Sequence, residues 1–201
     1  MELQRALTQI DDIRRQMGLT RQFRGFRAAT TLFTGAAALA AGLWQSWQLP
    51  DAANYPARFV CLWVGVAAVC AGACGAEIVR RYRRCDSSSQ RELTRSAVEQ
   101  FLPFVLVGGL LTLVLCQHAV EADWMLPGLW QILFGLGLLS LRHLSPEPIR
   151  FVGAFYILCG LANLSGGAAH VSPWCMGVPF GAGQTASALI LYWYLERRHA
   201  A

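Results

Sequence analysis

Six separate runs of apolar residues, each close to the ~20 residues a helix needs to cross about 30 Å of hydrocarbon, constrain this chain more than any other feature. They fall at roughly 28–49, 57–79, 101–120, 124–141, 150–169 and 173–195, the fourth being the shortest. Lipid offers the backbone no partner, so a crossing segment must close its own hydrogen bonds, and a run of this length does so as a helix. The expected fold is an all-α membrane protein with six transmembrane helices within residues 28–195, a preceding segment at 1–27 and a tail at 196–201. Composition agrees: 55% of the residues are hydrophobic and 14% charged, against about 25% charged in an average soluble domain. Such apolar content excludes a disordered tail protein, and the run lengths exclude a disulfide-stapled secreted miniprotein. Because the first run follows a 27-residue segment that includes Asp11 and Asp12, it reads as a retained anchor rather than a signal peptide.

Arginine sets the orientation. All 17 basic residues are arginine, which leaves no primary amine for Schiff-base chemistry or a Walker-type phosphate site. Arg5, Arg14, Arg15, Arg21, Arg24 and Arg27 precede the first run, and Arg80, Arg81, Arg83, Arg84, Arg91 and Arg95 follow the second. Arg142, Arg150, Arg197 and Arg198 fall on the same side, and Arg58 alone falls on the other. The positive-inside rule therefore places both termini in the cytoplasm, as an even number of crossings also requires. The net charge of +5 is topological, and no nucleic-acid partner is expected.

Before the first crossing, Leu3, Leu7, Ile10, Ile13 and Met17 recur at helical spacing and predict an amphipathic N-terminal helix that stops near Gly18. Arg21, Phe23, Arg24, Phe26 and Arg27 then alternate basic and aromatic groups, and each arginine there gains about 1 kcal/mol from anionic lipid. Leu7, Ile10, Arg21, Arg24 and Arg27 thus form a surface for membrane lipid or for a cytoplasmic protein partner. In the basic loop at 80–100, Ser89 and Glu92 have capping-box spacing, which predicts a second, short cytoplasmic helix. Pro103 is expected to end or bend it where the third span begins.

Polar side chains inside apolar segments must find partners or line a cavity. His118, Glu121, Gln131, Asn163, His170 and Gln184 all fall between mid-membrane and the outer surface, and are the candidate ligand or pore-lining residues. Two readings stand side by side. In one they line a vestibule open to the outside. In the other Asn163, Gln131 and Gln184 form interhelical hydrogen bonds worth about 0.6 to 2 kcal/mol each, with His118, Glu121 and His170 at the wet interface. No carboxylate lies at a helix centre, which argues against a proton-coupled carrier. The spacing of His118, Glu121 and His170 does not define a metal site; none is assigned, and no cofactor is implied. Either histidine would instead serve as an outer pH sensor.

Small residues mark expected contacts: Ala68 and Gly72 on the second helix for central packing or self-association, and Gly177 and Gly181 on the sixth, where Pro179 weakens the helix. Trp63, Trp130 and Trp174, each followed by a glycine, hint at three repeated hairpins, although tryptophan also collects at membrane interfaces. The seven cysteines contain no CxxC pair and read as apolar fillers.

The stretches IRRQM at 13–17, FRGFR at 23–27 and SPWCMGVPFGAGQ at 172–184 resemble segments of a group of uncharacterised bacterial six-helix integral membrane proteins. The resemblance implies a bacterial inner (plasma) membrane and the same topology, and brings no activity or catalytic residue with it. No serine, cysteine or paired-acid constellation with a supporting base stands out, so an enzyme ranks last. The leading expectation is a non-enzymatic inner-membrane protein with a binding or interaction role, through its cytoplasmic helices and outward polar cluster, and with homo-oligomers possible. The alternative is a small-solute channel or facilitator lined by Asn163, Gln131 and Gln184.

Overall fold

The computed structural model describes residues 28–48, 56–84 and 88–197, and its regular structure there is entirely helical. Six helices follow one another: α1 (Ala28–Gln48), α2 (Pro56–Arg84), α3 (Ser88–His118), α4 (Leu126–Ser140), α5 (Ile149–Gly166) and α6 (Trp174–Leu191). A short 3-10 segment, Val120–Met125, joins α3 to α4, another, Ala168–His170, lies between α5 and α6, and a π turn, Tyr192–Glu196, prolongs α6. Each helix overlaps one of the six apolar runs. Four stretches are long and apolar enough to cross a membrane: Pro56–Arg84, Gln90–His118, Val120–His143 and Ile149–Gly166. In α1 and α6, alanine, glycine, threonine and glutamine dilute the larger apolar side chains. The amphipathic helix expected from Leu7 and Ile10, the basic positions Arg21, Arg24 and Arg27, Cys85 and the last four residues lie outside the described residues.

One local expectation is corrected. The short helix expected to end or bend at Pro103 does not end there: α3 runs for 31 residues with Pro103 inside it. Proline deprives the carbonyl four residues earlier of its amide partner. That carbonyl belongs to Glu99, a residue whose side chain is exposed at the arginine-rich end. An Arg95–Glu99 pair at 2.6 Å supports the same turns from outside.

Packing rests on two antiparallel helix pairs whose backbones meet at glycine. Between α4 and α5, Gly128 faces Gly160 and Gly135 faces Gly153; a Cβ added at Gly135 would lie 2.6 Å from the Gly153 carbonyl. The seven-residue spacing within each helix is two helical turns, so both contacts fall on one seam. Between α1 and α6, Gly42 meets Gly177, Leu39 packs into the space over Gly181, and Gly35 faces Gln184. These close approaches replace the hydrophobic drive that lipid does not supply. α5 touches α6, α4 touches α3 and α1 touches α2, so the helices follow chain order around the bundle.

The main core lies towards the end where α2 begins. There Phe59, Val60 and Trp63 pack with Ala38, Leu126 and Met176. The remaining length of α2 is exposed or half-buried. Ala68 and Gly72, expected to serve central packing or self-association, do not pack centrally: both are exposed, and among the described residues a Cβ at Gly65, Gly72 or Gly75 would meet nothing within 4 Å. The tryptophans occupy unlike settings. Trp63 Nε1 donates to Gln45 Oε1 at 2.9 Å and Trp130 Nε1 to Thr112 Oγ1 at 2.9 Å, each on the preceding helix, whereas Trp174 is exposed on α6. The correspondence therefore covers two hairpins and not the third.

Candidate functional site

The six candidate residues separate into three places. Gln131 and Asn163 come together in the bundle interior, Gln184 sits in the α1–α6 seam opposite Gly35, and His118, Glu121 and His170 are exposed at the end where α2 begins. They do not form one lining.

The interior group is built around a broken helix bond. On α6 the Cys175 carbonyl would ordinarily accept the amide of residue 179, but that residue is Pro179, which has none. Gln131 Nε2 donates to this carbonyl at 2.6 Å and Asn163 Nδ2 at 3.2 Å. Asn163 Nδ2 also donates to Gln131 Oε1 at 2.9 Å, so three helices are tied at one acceptor. Gln131 has no exposed surface. Where a buried carbonyl without a partner costs several kcal/mol in lipid, this arrangement removes the penalty and joins α4, α5 and α6. Chemically it is a closed knot of amides with no free donor directed at solvent. Beside it Tyr156, fully buried, packs with Phe134 and Phe180 in tilted and edge-on contacts and occupies the space that a side chain at Gly183 would need.

The second feature is a cleft of about 240 Å³ at the end opposite the arginine clusters, the end that carries the exposed Arg58 just before Phe59. Phe59 and Val60 come from α2, Glu121, Asp123 and Trp124 from the segment between α3 and α4, and Val171 from the connection between α5 and α6. Asp123 is 5% exposed, and its Oδ1 is buried without a hydrogen-bond partner. The Cys116 thiol neighbours it. Glu121 is exposed at the rim. Ion pairs of Glu77 with Arg80 and Arg81, and of Arg95 with Glu99, lie at the other end of the bundle. The cleft thus combines aromatic and aliphatic walls with carboxylates.

The α5–α6 connection is held by its own polar groups. The His170 ring bonds through Nδ1 to the Gly166 carbonyl at 2.6 Å, and the Cys175 thiol donates to the His170 carbonyl at 3.0 Å. Gly167, with φ of 69°, takes the left-handed backbone that starts this turn. Among the described residues no group of three His, Cys, Asp or Glu side chains converges as metal ligands would. Cys70 and Cys74 are free thiols, as are Cys61, Cys116, Cys159 and Cys175.

Sequence reasoning missed Asp123 and Gln45. Gln45 is fully buried in α1 and accepts from Trp63, with its Nε2 unpartnered. The signal for Asp123 was present as two acids, Glu121 and Asp123, in a six-residue connection otherwise made of apolar residues. Comparison of the chain with protein families, curated proteins and solved structures finds no match.

Proposed function

We propose that this chain is a non-enzymatic, multi-spanning protein of the bacterial inner membrane that crosses the bilayer six times with both termini in the cytoplasm. It acts by binding at its outward end rather than by conducting solutes. The observation that carries the reading is the knot at Cys175. Gln131 and Asn163, the amides best placed to line a route, are committed to closing the backbone gap left by Pro179. Arginine segregation and the chain-order packing support six crossings, with α1 and α6 spanning as a glycine-backed pair although their own hydropathy is lower. The basic N-terminal segment, with Leu7 and Ile10 on its apolar face, supplies a second surface, for inner-leaflet lipid or a cytoplasmic protein.

Reconstitution into sealed liposomes tests this. The expected result is no flux of potassium, urea or acetate above that of empty vesicles. A flux altered by Gln131→Leu or Asn163→Leu would overturn the reading in favour of a facilitator. Crossing number and sidedness are tested by attaching thiol reagents to single cysteines placed at 122 and 143 in a cysteine-free background. The first should label from outside and the second only from the cytoplasm.

A further inference from the structure

Among the described residues two buried side-chain atoms have no hydrogen-bond partner, Gln45 Nε2 and Asp123 Oδ1, and of the two only Asp123 carries an acid group. A carboxylate withdrawn from water is stable only when paired with a cation or well supplied with hydrogen-bond donors. Here the residue is 5% exposed, the Cys116 thiol is its hydrogen-bonding neighbour, and among the described residues Oδ1 has no donor, while a cleft of about 240 Å³ opens beside it. A second carboxylate, Glu121, stands at the rim. The other walls are aromatic and aliphatic: Phe59, Trp124, Val60 and Val171. This is poor chemistry for a hard metal ion, which asks for six or more oxygen ligands. A cation with an apolar body suits it better. The charge meets the carboxylates, alkyl groups replace water against valine, and the face of an aromatic ring attracts positive charge.

We propose that this cleft binds a substituted ammonium group, with its charge on Asp123 and Glu121 and its alkyl body against Phe59 and Trp124. The proposal rests on the reading above that this end of the bundle faces outward. Two sources carry the same chemistry, a free alkylammonium solute and the amine headgroup of an outer-leaflet lipid, and the cleft sits where both have access.

The test uses the full chain in nanodiscs of phosphatidylglycerol, which carries no amine. Tetramethylammonium and choline are titrated by calorimetry alongside 3,3-dimethylbutan-1-ol, the neutral isostere of choline. Saturable binding of the cations, at least tenfold weaker binding of the neutral isostere, and at least a tenfold loss in Asp123→Asn are expected. Should Asp123→Asn fail to fold, Glu121→Gln, which alters an exposed rim residue, and Trp124→Leu are each expected to weaken choline severalfold. Absence of cation binding by the unaltered protein, or equal binding of the alcohol, overturns the proposal. So does full retention of affinity in all three variants. Repeating the titration in phosphatidylethanolamine nanodiscs separates the sources: a weaker apparent affinity for choline assigns the site to the lipid headgroup, an unchanged one to a free solute. Topology is separated by sealed vesicles of known orientation. Binding in nanodiscs that in vesicles is reached only from the cytoplasmic side would overturn the outward reading and leave the ammonium site standing.

Discussion

Replacing both amides of the interior knot, in Gln131→Leu with Asn163→Leu, should destabilise the bundle far more than a loss of polar surface implies. Three hydrogen bonds disappear, of 2.6, 2.9 and 3.2 Å, and the Cys175 carbonyl is left bare inside the membrane. At about 0.6 to 1.7 kcal/mol for each interhelical bond, the double variant loses roughly 2 to 5 kcal/mol. The diagnostic step is to add Pro179→Ala. Alanine restores the amide that the Cys175 carbonyl lacks, so in the double-variant background it should recover at least about 1 kcal/mol. In the unaltered protein the same change meets an acceptor already satisfied and gives up buried ring packing, so it should be neutral or mildly destabilising. Reversible unfolding in mixed micelles with increasing dodecyl sulfate, followed by tryptophan fluorescence, measures all four species. Equal effects of Pro179→Ala in the two backgrounds would refute the reasoning, because the amides and the proline would then be independent.

Gly135→Ala should cost about 1 to 3 kcal/mol, because the added methyl would lie 2.6 Å from the Gly153 carbonyl and force α4 from α5. Gly72→Ala, with open space around it, should leave unfolding within about 0.5 kcal/mol, and the same micelle titration compares the two. Trp63→Phe removes the donor to Gln45 and should cost about 1 to 3 kcal/mol, checked by the same unfolding curve; an unchanged midpoint would show that the bond contributes nothing. Replacing Leu7 and Ile10 by aspartate should release any protein that copurifies with the cytoplasmic surface, read by mass spectrometry of the purified material.

Helix positions were legible because each apolar run must satisfy its backbone locally, whatever its neighbours do. At Pro103 local rules predict an end or a bend, and the end does not occur. The helix continues through the position where Glu99 loses its amide partner, so the inner helix and the third span are one element. Pro179 raises the same problem in the interior, where solvent is no remedy, and there Gln131 and Asn163 supply the donors. Of the candidate site, Gln131, Asn163 and Glu121 were visible as polar groups in apolar surroundings, but not their separation into a knot and a cleft. Asp123 escaped notice because its burial depends on α2 and the α5–α6 connection closing over it, and neither is near it in the chain.

By itself the amino-acid order determined roughly where the six apolar helices lie and which segments carry the arginines, since run length and charge act within single segments. Which small-residue faces meet was left to the tertiary structure. A glycine row permits close approach without naming a partner. Gly135 finds Gly153 and Gly42 finds Gly177, whereas Gly72 on an equally promising row faces open space. The difference is one of summed packing around the whole bundle, and it buries Asp123 in the wall of a cleft formed by residues from three separate parts of the chain.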